Sequence, residues 1–167
     1  MTIFAIDAAT TTGWALMMPH GLRCGTRDFG QKNDRAVRLM NFDDWLDAML
    51  SYHPEVTMIA YEKPIFRGSN SFLLIGFCAL IEMFCARRSL NVLPVNLATI
   101  KKHAGVKAGE KPIAEARARG WKVANDHEAD AAFLLDYATQ QMERLEAENA
   151  NYKPAKPARA NRRGGHK

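Results

Sequence analysis

Three acidic residues of this chain occupy positions where a buried strand or helix would otherwise hold apolar side chains. Asp7 and Glu62 each end a short apolar run, and Asp130 lies in the alanine-containing segment 127–132. A carboxylate that is buried without a partner costs several kcal/mol, so charges placed in this way predict that a cation lies between them. The first hypothesis is therefore a metal-dependent active site.

The length of the chain limits it to one substantial core. With 167 residues, 47% of them hydrophobic, we expect one α/β domain over residues 1–148 and a disordered basic tail over residues 149–167. The tail has no acid after Glu148 and carries Lys153, Lys156, Arg159, Arg162, Arg163 and Lys167. Its charge is typical of an arm that binds nucleic-acid phosphates, and equally of a solubilising tail without a specific partner.

Cysteine usage and hydropathy predict a cytoplasmic protein. Cys24, Cys78 and Cys85 are odd in number, and the last two lie in an apolar helical stretch where cysteine behaves as a small hydrophobic residue. The chain shows neither a signal peptide nor an apolar run of about 18 residues. We therefore expect a reducing compartment and no association with a membrane.

Hydrophobic periodicity and turn residues give the order of the secondary-structure elements. Strands are predicted at residues 2–7, 12–18, 22–30, 56–61 and 92–95. Helices are predicted from Asn33 or Asp34 to His53, at 72–85, 96–104 and 112–119, and from about His127 onwards. In the first helix, the apolar face is expected to include Val37, Met40, Trp45 and Met49.

The predicted helix 72–85 is apolar almost all round, so it must be covered on more than one side. A chain of this length has few elements with which to surround it. We expect one face to pack on the sheet and the other on a second copy of the chain. A central helix buried within one subunit is the alternative.

An Asp at the end of a first strand, followed by a Thr-rich turn and Gly13 in a second strand, occurs in two groups of proteins. They are the nucleases of the ribonuclease H-like fold and the actin-like or sugar-kinase ATPases. The ATPases enclose their nucleotide between two such domains, and one domain fills this chain. Length therefore favours the nuclease.

The last helix supplies further candidate ligands. His127 and Asp130 are three residues apart and so lie on the same side of a first helical turn. Facing Asp7 and Glu62, they would form the oxygen-rich environment that Mg²⁺ or Mn²⁺ prefers. Glu128 is expected to face solvent. Asn125 or Asp126 is expected to cap the helix, with an outer ligand as the alternative role of Asp126, and the first-turn residues could also be only structural.

The segments 6–15, 61–64, 100–105 and 127–131, in this order, resemble the RuvC-type Holliday junction resolvases, which include phage-type members. The resemblance extends from residue 2 to about residue 140. It implies the ribonuclease H-like fold, an α/β fold with a mixed five-stranded sheet flanked by helices. It also implies a homodimeric, Mg²⁺-dependent endonuclease that nicks four-way DNA junctions in pairs, with Mn²⁺ as a plausible substitute.

The resemblance also implies roles for individual residues. The implied metal ligands are Asp7, Glu62, His127 and Asp130. Lys101 and Lys111 match lysines that support catalysis or hold the scissile backbone, and Lys102 and Lys107 are alternative matches for them. The expected DNA contacts are Phe66, Arg67, Lys102 and Lys107. Phe66 could instead fill the core. The turn after Asp7 departs from the Asp-Pro-Gly of the family, because Ala9 stands where glycine would supply a positive φ.

Two other functions are compatible with the same residues. One is a nuclease of this fold that acts on RNA·DNA hybrids or DNA forks rather than on four-way junctions. The other is a module that binds junctions without cutting them, against which the complete set of candidate ligands argues.

Overall fold

The computed structural model describes residues 1–30, 34–64, 71–107 and 110–151. The strands are β1 (Ile3–Asp7), β2 (Thr11–Met18), β3 (Gly21–Asp28), β4 (Met58–Lys63) and β5 (Asn91–Asn96). The helices are α1 (Arg35–Tyr52), α2 (Ser71–Arg88), α3 (Leu97–Ala104), α4 (Pro112–Ala118) and α5 (Asp126–Asn151). All of the predicted elements are present, with boundaries shifted by a few residues.

The strands form one mixed sheet in the order β3-β2-β1-β4-β5. β1, β2 and β3 are an antiparallel meander, whereas β4 and β5 run parallel to β1. The two central strands, β1 and β4, are thus parallel neighbours whose carboxyl ends meet at one edge. The predicted α/β fold with a mixed five-stranded sheet is confirmed.

Helices cover both faces of the sheet. In β1, Phe4 and Ile6 belong to the core shared with α1 and α2, whereas Ile3 and Ala5 belong to the core shared with α5. A strand that is buried on both faces is continuously apolar, which explains the unbroken apolar run that precedes Asp7. Asp7 has the same parity as Ile3 and Ala5 and therefore belongs to the α5 face.

The rotation of α1 differs from the prediction. Asp34 caps the helix, as expected, by accepting a hydrogen bond from the Ala36 amide. Trp45 and Met49 pack against the core as predicted, but Val37 and Met40 are exposed, and the fully buried side chains are Phe42, Leu46 and Leu50. The aromatic packing explains the difference, because the Phe42 ring stacks on Phe77 of α2 at 4.3 Å between centroids.

α2 is covered on one side by α1 and the sheet. Gly76 lies against Leu39 of α1, where an added Cβ would meet the leucine side chain at 2.6 Å. The opposite side of the helix is exposed at Phe72, Ile75 and Met83. A single copy of the chain thus leaves an apolar stripe of α2 uncovered.

α5 packs closely on the sheet because small residues line both surfaces. Ala129, Ala131 and Ala132 of the helix are buried, and they share a core with Ala5, Ala15 and Ala60 of the strands. Alanine adds little thickness between a helix and a sheet, so the backbone of α5 approaches β1 and β2. This close approach fixes the position of the first turn of α5.

The three cysteines are free thiols, and Cys78 and Cys85 are buried. Burial raises the pKa of Cys78 to about 12, so this thiol is protonated and unreactive at neutral pH. Among the described residues, no helix has the length and apolar character needed to cross a membrane.

Candidate active site

Asp7 and Glu62 lie side by side at the carboxyl end of the central strand pair. Ile6 pairs with Tyr61 in the parallel ladder, and the two acids are the next residue of each strand. Because side chains alternate along a strand, both acids share the α5 face of the sheet with Ala5 and Ala60. The register of β1 and β4 therefore brings together the first two predicted ligands.

The first turn of α5 reaches the same edge of the sheet. Gly13 of β2 pairs with Asp7, and a Cβ added at Gly13 would lie only 2.0 Å from the His127 carbonyl oxygen. Only a residue without a side chain permits this approach. Gly13 thus allows the backbone of α5 to sit directly over β2, beside Asp7.

His127 and Asp7 are joined across this contact. The Nδ1 atom of His127 lies 2.9 Å from Oδ2 of Asp7. This hydrogen bond raises the pKa of His127, although partial burial opposes the effect. The charges of Asp7 and Asp130 also raise the pKa of His127 by favouring its imidazolium form. The positive charge of that form partly neutralises the acids around it.

Ionisation of Glu62 and of Asp130 is unfavourable at this edge of the sheet. Burial, followed by the charges of Asp7 and Asp130, raises the pKa of Glu62 from 4.5 to about 8. Burial and then Asp7 raise the pKa of Asp130 from 3.8 to about 6. Without a cation, the protein therefore holds part of this cluster protonated near neutral pH.

Lys101 of α3 lies within electrostatic range of the same acids. Its charge lowers the pKa of both Glu62 and Asp130, against the larger effect of burial. Lys101 is half-buried, whereas Lys102, Lys107 and Lys111 are exposed. The structure therefore brings Lys101 close to the acids and leaves the other three lysines on the surface of α3 and the segment that leads to α4.

The N-terminus of α5 is capped by Asn125 rather than by Asp126. The Asn125 side chain accepts a hydrogen bond from the Glu128 amide at 3.0 Å, and the Glu128 carboxylate accepts one from the Ala124 amide at 2.8 Å. Glu128 is only 8% exposed, so the prediction that it faces solvent is wrong. The Asn-x-x-Glu spacing is a capping-box pattern and was the available signal.

Asp126 is not needed as the cap, and its Oδ1 atom is buried without a hydrogen-bond partner. Its charge contributes to the raised pKa of both His127 and Asp130, which places it near the cluster. A buried carboxylate oxygen without a partner is costly. The sequence left the role of Asp126 open, and the structure adds a fourth carboxylate to this region.

The donors suit a hard divalent cation in their chemistry. Carboxylate oxygens are the ligands that Mg²⁺ and Mn²⁺ prefer, and the mutual repulsion of Asp7, Glu62 and Asp130 is what a cation would relieve. Within the described ranges, no group of three or more His, Cys, Asp or Glu side chains already has the arrangement of a metal site. Within the cluster, a hydrogen bond joins Asp7 to His127.

The turn after Asp7 does not need glycine. Thr12 is fully buried, and its hydroxyl donates a 2.6 Å hydrogen bond to the Ala9 carbonyl. Ser89 is the residue other than glycine with a positive φ among the described residues, so Ala9 avoids the strained conformation. Phe66 and Arg67, the remaining predicted DNA contacts, lie outside the described residues.

Comparison with solved structures shows which fold places these residues together. Thermus thermophilus RuvC in complex with a Holliday junction substrate superposes with a TM-score of 0.67 at 15% identity, over 86% of this chain and 96% of that one. Thermus thermophilus RuvC gives 0.66 at 17% identity, over 86% and 96%. The yeast mitochondrial Holliday junction resolvase Ydc2 gives 0.63 at 9%, over 89% and 81%.

These similarities define the class of structure. The chain has the ribonuclease H-like fold that RuvC and Ydc2 share, and the likeness covers most of each chain. No protein-family model matches the sequence, and comparison with curated proteins finds no match. At such low identity the likeness establishes the fold alone, and the activity must be argued from the site.

Proposed function

We propose that this chain is a divalent-metal-dependent endonuclease that resolves four-way DNA junctions by paired nicks, as a homodimer. The observation that carries the proposal is the convergence of Asp7, Glu62, His127 and Asp130 at one edge of the sheet. These residues come from β1, β4 and α5, and they affect one another electrostatically. A scaffold that needed only stability would gain nothing from an acid at Asp7 whose charge adds to burial in raising the pKa of both Glu62 and Asp130.

In the proposed reaction, Asp7, Glu62, Asp130 and His127 hold the divalent cations. Mg²⁺, or Mn²⁺ in its place, would supply charge stabilisation at the scissile phosphate and an activated water. For His127 to bind a cation through Nδ1, its hydrogen bond to Asp7 must be exchanged. Its raised pKa means that His127 would release a proton on binding, so binding weakens as pH falls.

Lys101 is the cation that the chain itself contributes. Its position beside Glu62 and Asp130 suits a role in steadying the scissile phosphate and the charge that develops on it. Lys102, Lys107 and Lys111 are exposed on the same part of the chain and would bind neighbouring phosphates. Phe66 and Arg67, on the segment between β4 and α2, are proposed to contact bases and backbone.

The homodimer is proposed from the uncovered side of α2. Phe72, Ile75 and Met83 are 67%, 36% and 55% exposed, and their spacing places them along one side of the helix. A second copy would cover this stripe through a two-fold interface. Two active sites are also what two symmetric nicks in opposing strands require.

The test is digestion of a synthetic mobile four-way junction in Mg²⁺, with each strand labelled in turn. We expect paired nicks in opposing strands, which Asp7→Asn abolishes while junction binding persists. Glu143→Gln, an exposed change near the distant end of α5, is the matched control and should leave cleavage unchanged. Cleavage that persists in Asp7→Asn would overturn the assignment of this site.

The substrate preference is determined by comparing the cleavage of a fork, an RNA·DNA hybrid and the four-way junction in parallel. Preferential cleavage of the hybrid or the fork would identify a nuclease of the same fold with another substrate. Junction binding without cleavage in any divalent metal would identify a binding module. Either result would replace the proposed function.

A further inference from the structure

Three side chains outside the acidic cluster join α3, α4 and α5. The His103 Nε2 atom lies 2.7 Å from Oδ2 of Asp136, and Arg119 Nη1 lies 3.3 Å from the same oxygen. Arg119 Nη2 donates a 2.8 Å hydrogen bond to the Ala104 carbonyl at the end of α3. We call His103, Arg119 and Asp136 the α3 clamp.

Contacts other than those with α3 also orient the guanidinium group of Arg119. It lies over the rings of Phe133 and Trp121, 4.9 and 5.6 Å from their centroids. Its Nε atom also lies 3.1 Å from Oε1 of Glu115, one turn earlier. An arginine stacked and paired in this way has lost most of its rotamer freedom, so its remaining donors define a fixed geometry.

α3 depends on such contacts because it is short. Eight residues are too few for a helix to be stable without tertiary packing. The buried side chains of α3 are Ile100 and Ala104, which define the side that packs on the core. At 100° per residue, Lys101 and His103 project roughly 80° to either side of that buried stripe.

This geometry links the clamp to the acidic cluster. A contact that holds His103 on one side of the buried stripe fixes the rotation of α3 about its axis, and that rotation sets the direction of Lys101 on the other side. Asp136 belongs to the same helix as Asp130 and His127, so the clamp fixes the position of α3 relative to α5. The end of α3 is also where the segment bearing Lys107 and Lys111 begins.

We infer that His103, Arg119 and Asp136 are positioning residues that hold Lys101 within electrostatic range of Glu62 and Asp130. The inference rests on the proposed nuclease function for its kinetic consequence, but its structural consequence is independent of that function. None of the three residues needs to touch the substrate. They act through the placement of α3.

Two measurements on the full-length protein test the clamp through Arg119→Gln and Asp136→Asn. The first is amide hydrogen exchange without metal, where protection of residues 97–104 should fall about tenfold or more while β1 and β4 keep theirs. The second is junction cleavage, where kcat should fall about 10- to 100-fold with KM changed less than about threefold. Glu143→Gln, on the exposed side of α5, is the control.

Conservative variants distinguish positioning from simple stability. His103→Gln keeps a donor near Asp136 and should recover part of the kcat that His103→Ala loses, whereas Arg119→Lys lacks the planar fork and should not recover it. Unchanged exchange over residues 97–104, or an equal loss of protection in β1 and β4, would overturn the inference. Absence of cleavage by the wild-type protein would instead overturn the nuclease, and exchange would still decide the clamp.

Discussion

Gly13 lies directly beneath the His127 carbonyl oxygen, and a Cβ at this glycine would stand 2.0 Å from that atom. Gly13→Ala must therefore displace the first turn of α5 or the end of β2. We expect a loss of about 1–3 kcal/mol in the free energy of unfolding and a larger proportional loss of cleavage, because His127 and Asp130 move with α5. Chemical denaturation and single-turnover cleavage measure the two effects.

Gly21→Ala is the control for that variant. Gly21 has a φ of 111° but no atom within 4 Å of the added Cβ, so alanine there strains the backbone without touching α5. We expect a similar loss of stability, roughly 1 kcal/mol or more, with cleavage retained. Equal cleavage by both variants would show that the contact between Gly13 and His127 does not position the site.

The metal-free protein should lose stability as pH rises from about 5 to 8. Folding raises the pKa of Glu62 to about 8 and of Asp130 to about 6, so over this range the folded state binds more protons than the unfolded state. The raised pKa of His127 acts in the same direction. Denaturant titrations in EDTA at several pH values measure the slope.

Two comparisons isolate the cause of this pH dependence. Glu62→Gln should flatten the slope, whereas Glu143→Gln, which is exposed on α5, should leave it unchanged. Millimolar Mg²⁺ should stabilise the wild-type protein more at pH 8 than at pH 5, since the ligands must be deprotonated. A stability that stays constant or rises with pH in EDTA would contradict the electrostatic description of the cluster.

Met83→Glu should weaken the proposed dimer. The substitution places a charge within the exposed stripe of α2, where a second copy would have to bury it. Met17 of β2 is equally exposed, at 55%, so Met17→Glu is a matched control that should leave assembly unchanged. Sedimentation velocity over a range of concentrations reports the assembly state, and a monomeric wild-type protein at all concentrations would refute the interface.

The exposed lysines should affect DNA affinity rather than the chemical step. Lys102→Ala and Lys107→Ala should each weaken junction binding and reduce the slope of log K against log salt by about 1. Lys101→Ala should instead lower kcat, because its charge acts on Glu62 and Asp130. Arg144→Ala, an exposed change 14 residues beyond Asp130 on α5, controls for net charge.

The basic tail should increase affinity without taking part in catalysis. α5 has 26 residues and is about 39 Å long, so its C-terminal end lies far from the acidic cluster. A chain ending at Asn151 should keep its melting temperature and kcat but bind junctions more weakly in low salt. Replacing the six Lys and Arg residues of the tail with Gln should reproduce this effect, and equal affinities for all three proteins would show that the tail does not bind DNA.

Sequence patterns predicted which acids lie near one another better than they predicted the packing around them. Asp7 and Glu62 could be paired because each ends an apolar strand, which places both acids near an edge of the sheet. The face of α1 was predicted only in part: Trp45 and Met49 pack on the core, whereas Val37 and Met40 are exposed although they fit helical periodicity as well as Phe42 does. The choice between them depends on the ring of Phe77, 35 residues later in the chain.

Other features depend on contacts that no local pattern encodes. Gly13 belongs to a sequence motif, but the need for glycine at this position comes from the backbone of His127, more than 100 residues away. The clamp likewise joins His103 of α3, Asp136 of α5 and Arg119, the residue that follows α4. Ion pairs between distant helices become visible only when the helices have been docked, since each partner alone is typical of a solvated surface.

The Asp7–His127 hydrogen bond spans 120 residues of sequence, which has a consequence for the order of events during synthesis. β1 leaves the ribosome early, and α5 is the last described element to emerge. The meander of β1, β2 and β3 uses only local contacts and is available first. A nascent chain therefore exposes Asp7 without its partners, and the acidic cluster becomes complete only when α5 docks.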